Sequence, residues 1–265
     1  MVRTAVALVI ALVAVTSTAN DFRAAKTQSR SVPELLTDLA AQDPAVRACA
    51  AFDLRELGDA STVAIQPLAA MLGDAAPVAS PVCGRPWWRG NGTDLTSPGE
   101  QAAAALVAIG MRAFQPVLNT LHSPVWAARR NAAWALGAFD DQRATAALIE
   151  TLKDREPGVR EQAAWALGAL DDAAALDALT GVLKDPDPRV RRQAAWALGA
   201  IGDARADGAL SAVLTDTDDR TREQAAWALG AIGDARALPG LLPSLKDANA
   251  GVRKQAAWAI GAIGR

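Results

Sequence analysis

Five tryptophans, Trp134, Trp165, Trp196, Trp227 and Trp258, stand 31 residues apart, and no insertion breaks their spacing. Gly137, Gly168, Gly199, Gly230 and Gly261 keep the same step. So do Leu152, Leu183, Leu214 and Leu245. A fixed period of a few tens of residues marks a chain that stacks one supersecondary unit many times. Each copy then contacts its neighbours rather than a shared central core. The alphabet is biased as a copied unit requires: Trp occurs 8 times and Tyr not once.

Each unit holds two amphipathic segments. Ala173 to Lys184 carries Leu176, Leu179 and Leu183 at helical spacing. Asp185-Pro186-Asp187-Pro188 forms a turn, and Val190 to Ile201 follows as the second helix. Its apolar residues Val190, Ala194, Ala197, Leu198 and Ile201 fall on one helical face. Gly202-Asp203 ends that helix and opens the next unit. A lone pair of such helices cannot bury its apolar face, whereas stacked pairs can. The expected fold is therefore an all-α solenoid.

The run from Asp187 to Asp203, DPRVRRQAAWALGAIGD, resembles the HEAT-like repeat first described in phycobilisome lyases. The resemblance extends over about residues 32–265 and implies a superhelix of seven HEAT-like helix pairs. The early units are degenerate: Phe52 takes the Trp position in the first and Ala104 in the second. The family serves many roles, so the resemblance implies a fold more than a function. Deoxyhypusine hydroxylase, a di-iron enzyme of this type, relies on His-Glu pairs that this chain lacks. Bilin lyases share the repeat, and a Trp-lined groove could hold a tetrapyrrole; the degenerate first units and an export signal argue against that role.

On a helical wheel the buried arc centres on Val190, Ala194 and Ile201, and Trp196 lies roughly 210° round from it. Gly199 and Ala195 fall on the flank that meets a neighbouring helix. Two readings of the Trp row follow, and both can hold together. In one, Trp134, Trp165, Trp196, Trp227 and Trp258 line the concave wall, edged by Gln162, Gln193, Gln224 and Gln255, as interface anchors. In the other, each indole covers the neighbouring unit's glycine. On the first reading, replacing Trp196 and Trp227 with Ala is expected to leave the fold intact and remove partner capture. Arg160, Arg191, Arg222 and Arg253 follow the turns, and Asp154, Asp185, Asp216 and Asp247 precede them. These two rows read as a structural ladder, because Arg donates forked hydrogen bonds to carboxylates and carbonyls.

Residues 1–19 read as a signal peptide. Arg3 precedes an apolar stretch from Ala5 to Val15, and Ser17-Thr18-Ala19 offers a cleavage site. Left uncleaved, the segment would be a membrane anchor. Residues 20–31 read as a flexible leader and 32–265 as the solenoid, with a loop insertion at 73–97 inside the second repeat. That insertion holds Trp87 and Trp88 between Arg85 and Arg89, so it is either a recognition loop or disordered. Cys49 and Cys83 are the only cysteines, and an even count in an exported chain favours a disulfide between them.

Nothing in the sequence points to catalysis. His122 is the one histidine, and there is no metal-spaced Cys/His cluster and no phosphate loop. No cofactor or metal is expected. Lys+Arg total 27 against 29 for Asp+Glu, so the basic surplus that nucleic acid demands is missing. No apolar run after the signal peptide is long enough to span a membrane. The expected function is an exported scaffold that binds a protein partner. A tetrapyrrole-binding groove and a structural role in the cell envelope are the alternatives. The apolar last repeat is expected to pack on a second copy or a partner.

Overall fold

The computed structural model describes residues 30–79 and 95–264. The expected signal peptide, nearly all of the leader, Cys83, Trp87 and Trp88 lie outside the described residues.

Seven helix pairs follow one another among the described residues. The first pair is α1 (Val32–Asp38) and α2 (Pro44–Leu57). The second is α3 (Ile65–Met71) and α4 (Pro98–Ile109), and the third is α5 (Phe114–Thr120) and α6 (Trp126–Ala138). Then come α7 (Thr145–Thr151) with α8 (Pro157–Ala169), and α9 (Leu176–Val182) with α10 (Pro188–Ile201). The last two are α11 (Asp207–Val213) with α12 (Asp219–Ile232), and α13 (Leu238–Ser244) with α14 (Ala250–Ile263). The chain is thus an all-α solenoid.

Local chemistry sets the helix ends. Asp187 accepts the Arg189 N–H at the start of α10, and Pro188 fills the first position, where no N–H is needed. Gly202 ends the helix at φ 70, a left-handed conformation that costs a glycine nothing. The sequence predicts one helix over Ala173 to Lys184. The structure instead opens with a 3₁₀ turn, Ala173–Ala175, before α9. Asp172 sets that turn by accepting the Ala174 N–H.

The even-numbered helices pack extensively on one another, whereas the odd-numbered ones touch their counterparts far less. A stack held closer on one layer than on the other bends toward the tight layer, which places the even helices inside. Between the layers runs one continuous core, with Leu148, Leu179, Leu210 and Leu241 from the odd helices. Leu167, Leu198 and Leu229 meet them from the even ones. Ile201, expected in the centre of the buried arc, is only half-buried. Its helix has 14 residues and the α9 beneath it only 7, so the last turn outruns its cover.

The 73–97 insertion leaves and re-enters through a short antiparallel pair, β1 (Val78–Ala79) and β2 (Leu95–Thr96), with Val78 opposite Thr96. Val78 packs on Ala48 and Cys49 of α2. Among the described residues no helix is long and apolar enough to cross a membrane.

Candidate functional site

The Arg–Asp rows frame the inner face. Arg160 donates from Nε and Nη2 to the carboxylate of Asp185, one unit on, at 2.7 and 2.8 Å. Its Nη1 reaches back to the Asp154 carbonyl at 2.8 Å. Arg129 pairs in this way with Asp154, Arg191 with Asp216 and Arg222 with Asp247. Arg253 donates to the carbonyls of Asp247 and Ala248. Each guanidinium therefore ties its own turn to the next. Burial alone would raise the Asp154 and Asp216 carboxyls, but bonds from Arg129, Arg191 and backbone N–H groups outweigh it and hold both below the usual range. The hydrogen bond that Arg160 donates to Asp185 raises the Arg160 pKa.

On the flank of the same helices each glycine meets the next unit. A Cβ on Gly199 would lie 2.7 Å from both the Ala228 Cα and the Trp227 ring. Gly137, Gly168 and Gly230 stand in the same relation to Trp165, Trp196 and Trp258. Bare backbone is the only surface that admits the neighbour so closely. One edge of each indole therefore packs on a glycine. Trp134, Trp165, Trp196 and Trp227 are left half-buried, and Trp258 is 44% exposed. Trp134 and Trp165 stack with centroids 6.5 Å apart. The contact of the covering reading, an indole edge on a neighbouring unit's glycine, recurs four times among the described residues. Truncating Trp196 or Trp227 to Ala would open a gap over Gly168 or Gly199.

Beside the indoles run Gln162, Gln193, Gln224 and Gln255. All four are half-buried, and their side chains form no hydrogen bond among the described residues. Their counterparts in the two preceding units differ. Gln101 and Asn131 are buried and turn inward, to the Thr96 hydroxyl at 3.0 Å and the Leu72 carbonyl at 2.9 Å.

These rows line two grooves. One of ≈ 880 Å³ runs over the second to fifth units and includes Trp126, Trp134, Trp165, Gln162 and Gln193. The other, of ≈ 480 Å³, includes Trp196, Trp227, Gln224 and Gln255. Trp258 lines neither. Trp126 was not among the expected site residues, yet it is 43% exposed on the larger groove, with the Arg130 guanidinium 5.3 Å over its ring. It occupies the place held by Pro157 and Pro188 in later units, and its position off the 31-residue step was the signal available.

His122 lies on a separate cavity of ≈ 640 Å³ between α3 and α5, whose lining includes Ser123 but no carboxylate. Among the described residues no group of His, Cys, Asp or Glu is placed to hold a metal. Cys49 is disulfide-bonded and accepts a 2.9 Å hydrogen bond from Arg30.

Comparison with known proteins gives a family and a fold. A family model described as HEAT repeats matches residues 100–161, 114–185, 145–222 and 207–265. No curated protein matches the sequence. An engineered protein is similar in structure at a TM-score of 0.50 and 21% identity, over 89% of this chain and 97% of its own. The Kap95:Nup1 complex is similar at 0.62 and 14% identity, over 87% of this chain and 36% of the other. The complex of CpcE and CpcF of phycocyanin lyase from Nostoc sp. PCC7120 matches at 0.48 and 24% identity, over 89% and 94%.

Proposed function

Because this chain belongs to the HEAT-repeat family, we propose that it is a non-catalytic scaffold that binds an extended segment of a partner protein along its indole and glutamine rows. The observation that carries this reading is the state of the four glutamines. Their amides stay open to water and are bonded to no other group among the described residues, so a polypeptide backbone can take both donor and acceptor without breaking an internal bond. Half-exposed tryptophans beside them supply rigid apolar area at low entropic cost. The similarity in structure to the Kap95:Nup1 complex fits such a role.

A photo-crosslinker at Arg189, on the larger groove of the mature chain, followed by mass spectrometry, tests the reading. We expect a crosslinked polypeptide that the Gln193→Ala/Gln224→Ala variant no longer captures, with its melting temperature unchanged. Capture of the same polypeptide by that variant would sink the reading.

Finer features belong to the same proposal. The repeats are of the phycobilisome-lyase type, supported by the Asp187–Asp203 run. The chain is exported, supported by Arg3 and the apolar Ala5 to Val15 stretch, and Cys49 pairs with Cys83. Amino-terminal sequencing that finds Met1 or Val2 on the purified protein overturns cleavage near Ala19, and its recovery from the cytoplasmic fraction overturns export. A peptide map without a Cys49–Cys83 crosslink overturns the pairing. Exposed Leu242, Leu245 and Trp258 support self-association through the last repeat, which a monomeric mass at high concentration would exclude. The stacked Trp134–Trp165 pair favours one second reading, a flat tetrapyrrole ligand. A bilin or haem absorbance band that does not shift on mixing rules it out.

A further inference from the structure

One row on the inner face is used neither by the ladder nor by the core. It consists of the residue one beyond each ladder position: Glu100, Arg130, Glu161, Arg192, Glu223 and Lys254. The sign reverses at every unit. Arg130 pairs with Glu100 at 3.0 Å across the second and third units. Glu161, Arg192, Glu223 and Lys254 form no ion pair among the described residues.

Self-attraction within the row is a weak cause for this order. Packed helices lie about 8–10 Å apart; among the described residues only Arg130 and Glu100 close that gap within the row, and an exposed pair is worth only about 0–1 kcal/mol. Along this row a polyanion or a polycation gains nothing, since each favourable contact is followed by an unfavourable one; the other charges lining the grooves, Glu156, Arg189 and Arg220, are likewise of both signs. Only a partner whose own charges alternate at the same step gains at every unit.

The step identifies the conformation. A polyproline II chain repeats every three residues, or about 9 Å, and presents positions i, i+3 and i+6 on one face. A β-strand covers a similar distance in three residues, but its side chains alternate faces. A helix covers it in about six residues, which is not a whole number of turns. Polyproline II also has no internal hydrogen bonds, so its carbonyls are free for the amides of the four glutamines. Its flat proline rings suit an indole row, as in other aromatic-lined grooves.

We propose that the groove selects a proline-rich polyproline II segment of a partner protein in which every third residue is charged and the sign alternates. The proposal rests on the groove being a polypeptide-binding surface. A slip of one unit inverts every charge contact, so the bound register is fixed in steps of two units.

Fluorescence anisotropy on the mature chain tests this with labelled synthetic peptides. The first is three copies of Pro-Pro-Arg-Pro-Pro-Asp. The second has the same composition in blocks, three Pro-Pro-Arg followed by three Pro-Pro-Asp. The third keeps the alternation but replaces each Pro-Pro with Gly-Ser. We expect the first to bind about tenfold more tightly than either other, as several individually weak ion pairs and a pre-ordered backbone add up. Glu161→Lys/Glu223→Lys makes the row positive from Arg130 to Lys254 and is expected to shift preference to an all-Asp version of the first peptide. Glu161→Gln/Glu223→Gln should reduce the discrimination without that shift. Equal affinity for the alternating and block peptides, both weakened by Gln193→Ala/Gln224→Ala, overturns the charge pattern and leaves the groove a peptide surface. Binding of none of the three overturns this proposal, while the crosslinking experiment still decides the broader reading.

Discussion

The solenoid joins its units in two ways, and the contrast lies between the regular third to seventh units and the junction of the second with the third. Every regular junction has the same fittings: an Arg–Asp pair, a glycine under the next indole, and alanines in contact. At the irregular junction all are replaced. Gly99 stands at the Arg position, Ser123 at the Asp position and Val107 at the glycine position. Helix α4 packs on α6 less extensively than any other neighbouring even-numbered pair. The Arg130–Glu100 pair and the bond from Asn131 to the Leu72 carbonyl take over.

The replacements have a common cause. The Gly99 N–H bonds to the Asp74 carbonyl at 2.9 Å and closes the base of the insertion. A Cβ on Gly99 would sit 2.6 Å from the Leu72 carbonyl oxygen and 2.8 Å from that of Asp74, so no arginine fits. With the arginine gone, an aspartate at 123 would be a poorly compensated charge, and serine avoids it. The rung before it is intact: Asp74 takes its arginine from the preceding unit, Arg47, at 2.6 Å, as the other ladder aspartates do. The insertion thus displaces one rung of the ladder and is followed by a softer joint.

The largest expected effect imposes the joint's residue on the regular block. Gly199→Val should cost about 3 kcal/mol or more, because the 2.7 Å approach is to backbone and cannot relax cheaply. A loss under about 1 kcal/mol in urea unfolding would erase the distinction. Next, Arg160→Ala strands Asp185, whose side chain is 8% exposed, and should cost about 2–4 kcal/mol. Arg130→Ala at the joint, where the arginine is 29% exposed, should cost about 1 kcal/mol or less. Equal losses from the two would show that the ladder holds the block no better than the joint is held.

One residue breaks the block's own rule. Asp207 occupies the position of Leu176 and Leu238, is 6% exposed, and neither carboxylate oxygen has a hydrogen-bond partner among the described residues. Burial first, then the Asp234 charge, raises its pKa. Its folded state binds protons more readily than its unfolded state, so its favourable contribution is complete below about pH 4 and lost as pH rises through the raised value. Asp154, Asp216 and Asp247 are depressed, so theirs is present above about pH 4 and lost as pH falls through the folded values. Asp207→Leu should therefore add about 1–2 kcal/mol at pH 7, and much less near pH 3. An unchanged gain across that range would remove the titration argument. The smallest effect is Asp171→Gly. Asp140 and Asp171 hold φ 54 and 49 where the next two units have Gly202 and Gly233. Glycine there should add about 0.5–1 kcal/mol, visible as a rise in melting temperature.

By itself the sequence determined the 31-residue module, the seven helix pairs and most helix ends. Those follow from periodicity and from residues such as Asp187, Pro188 and Gly202 acting on their own neighbourhood. Tertiary structure decided which unit's aspartate Arg160 would take, that Gln101 and Asn131 turn inward while Gln162 to Gln255 do not, and that Trp126 joins the groove. It also decided that Asp207 would be left without a hydrogen-bond partner among the described residues. A helical wheel fixes a side chain's angle about its own axis. How close the next axis lies, and what it brings there, depends on the small residues of two units at once, and no single module encodes that distance.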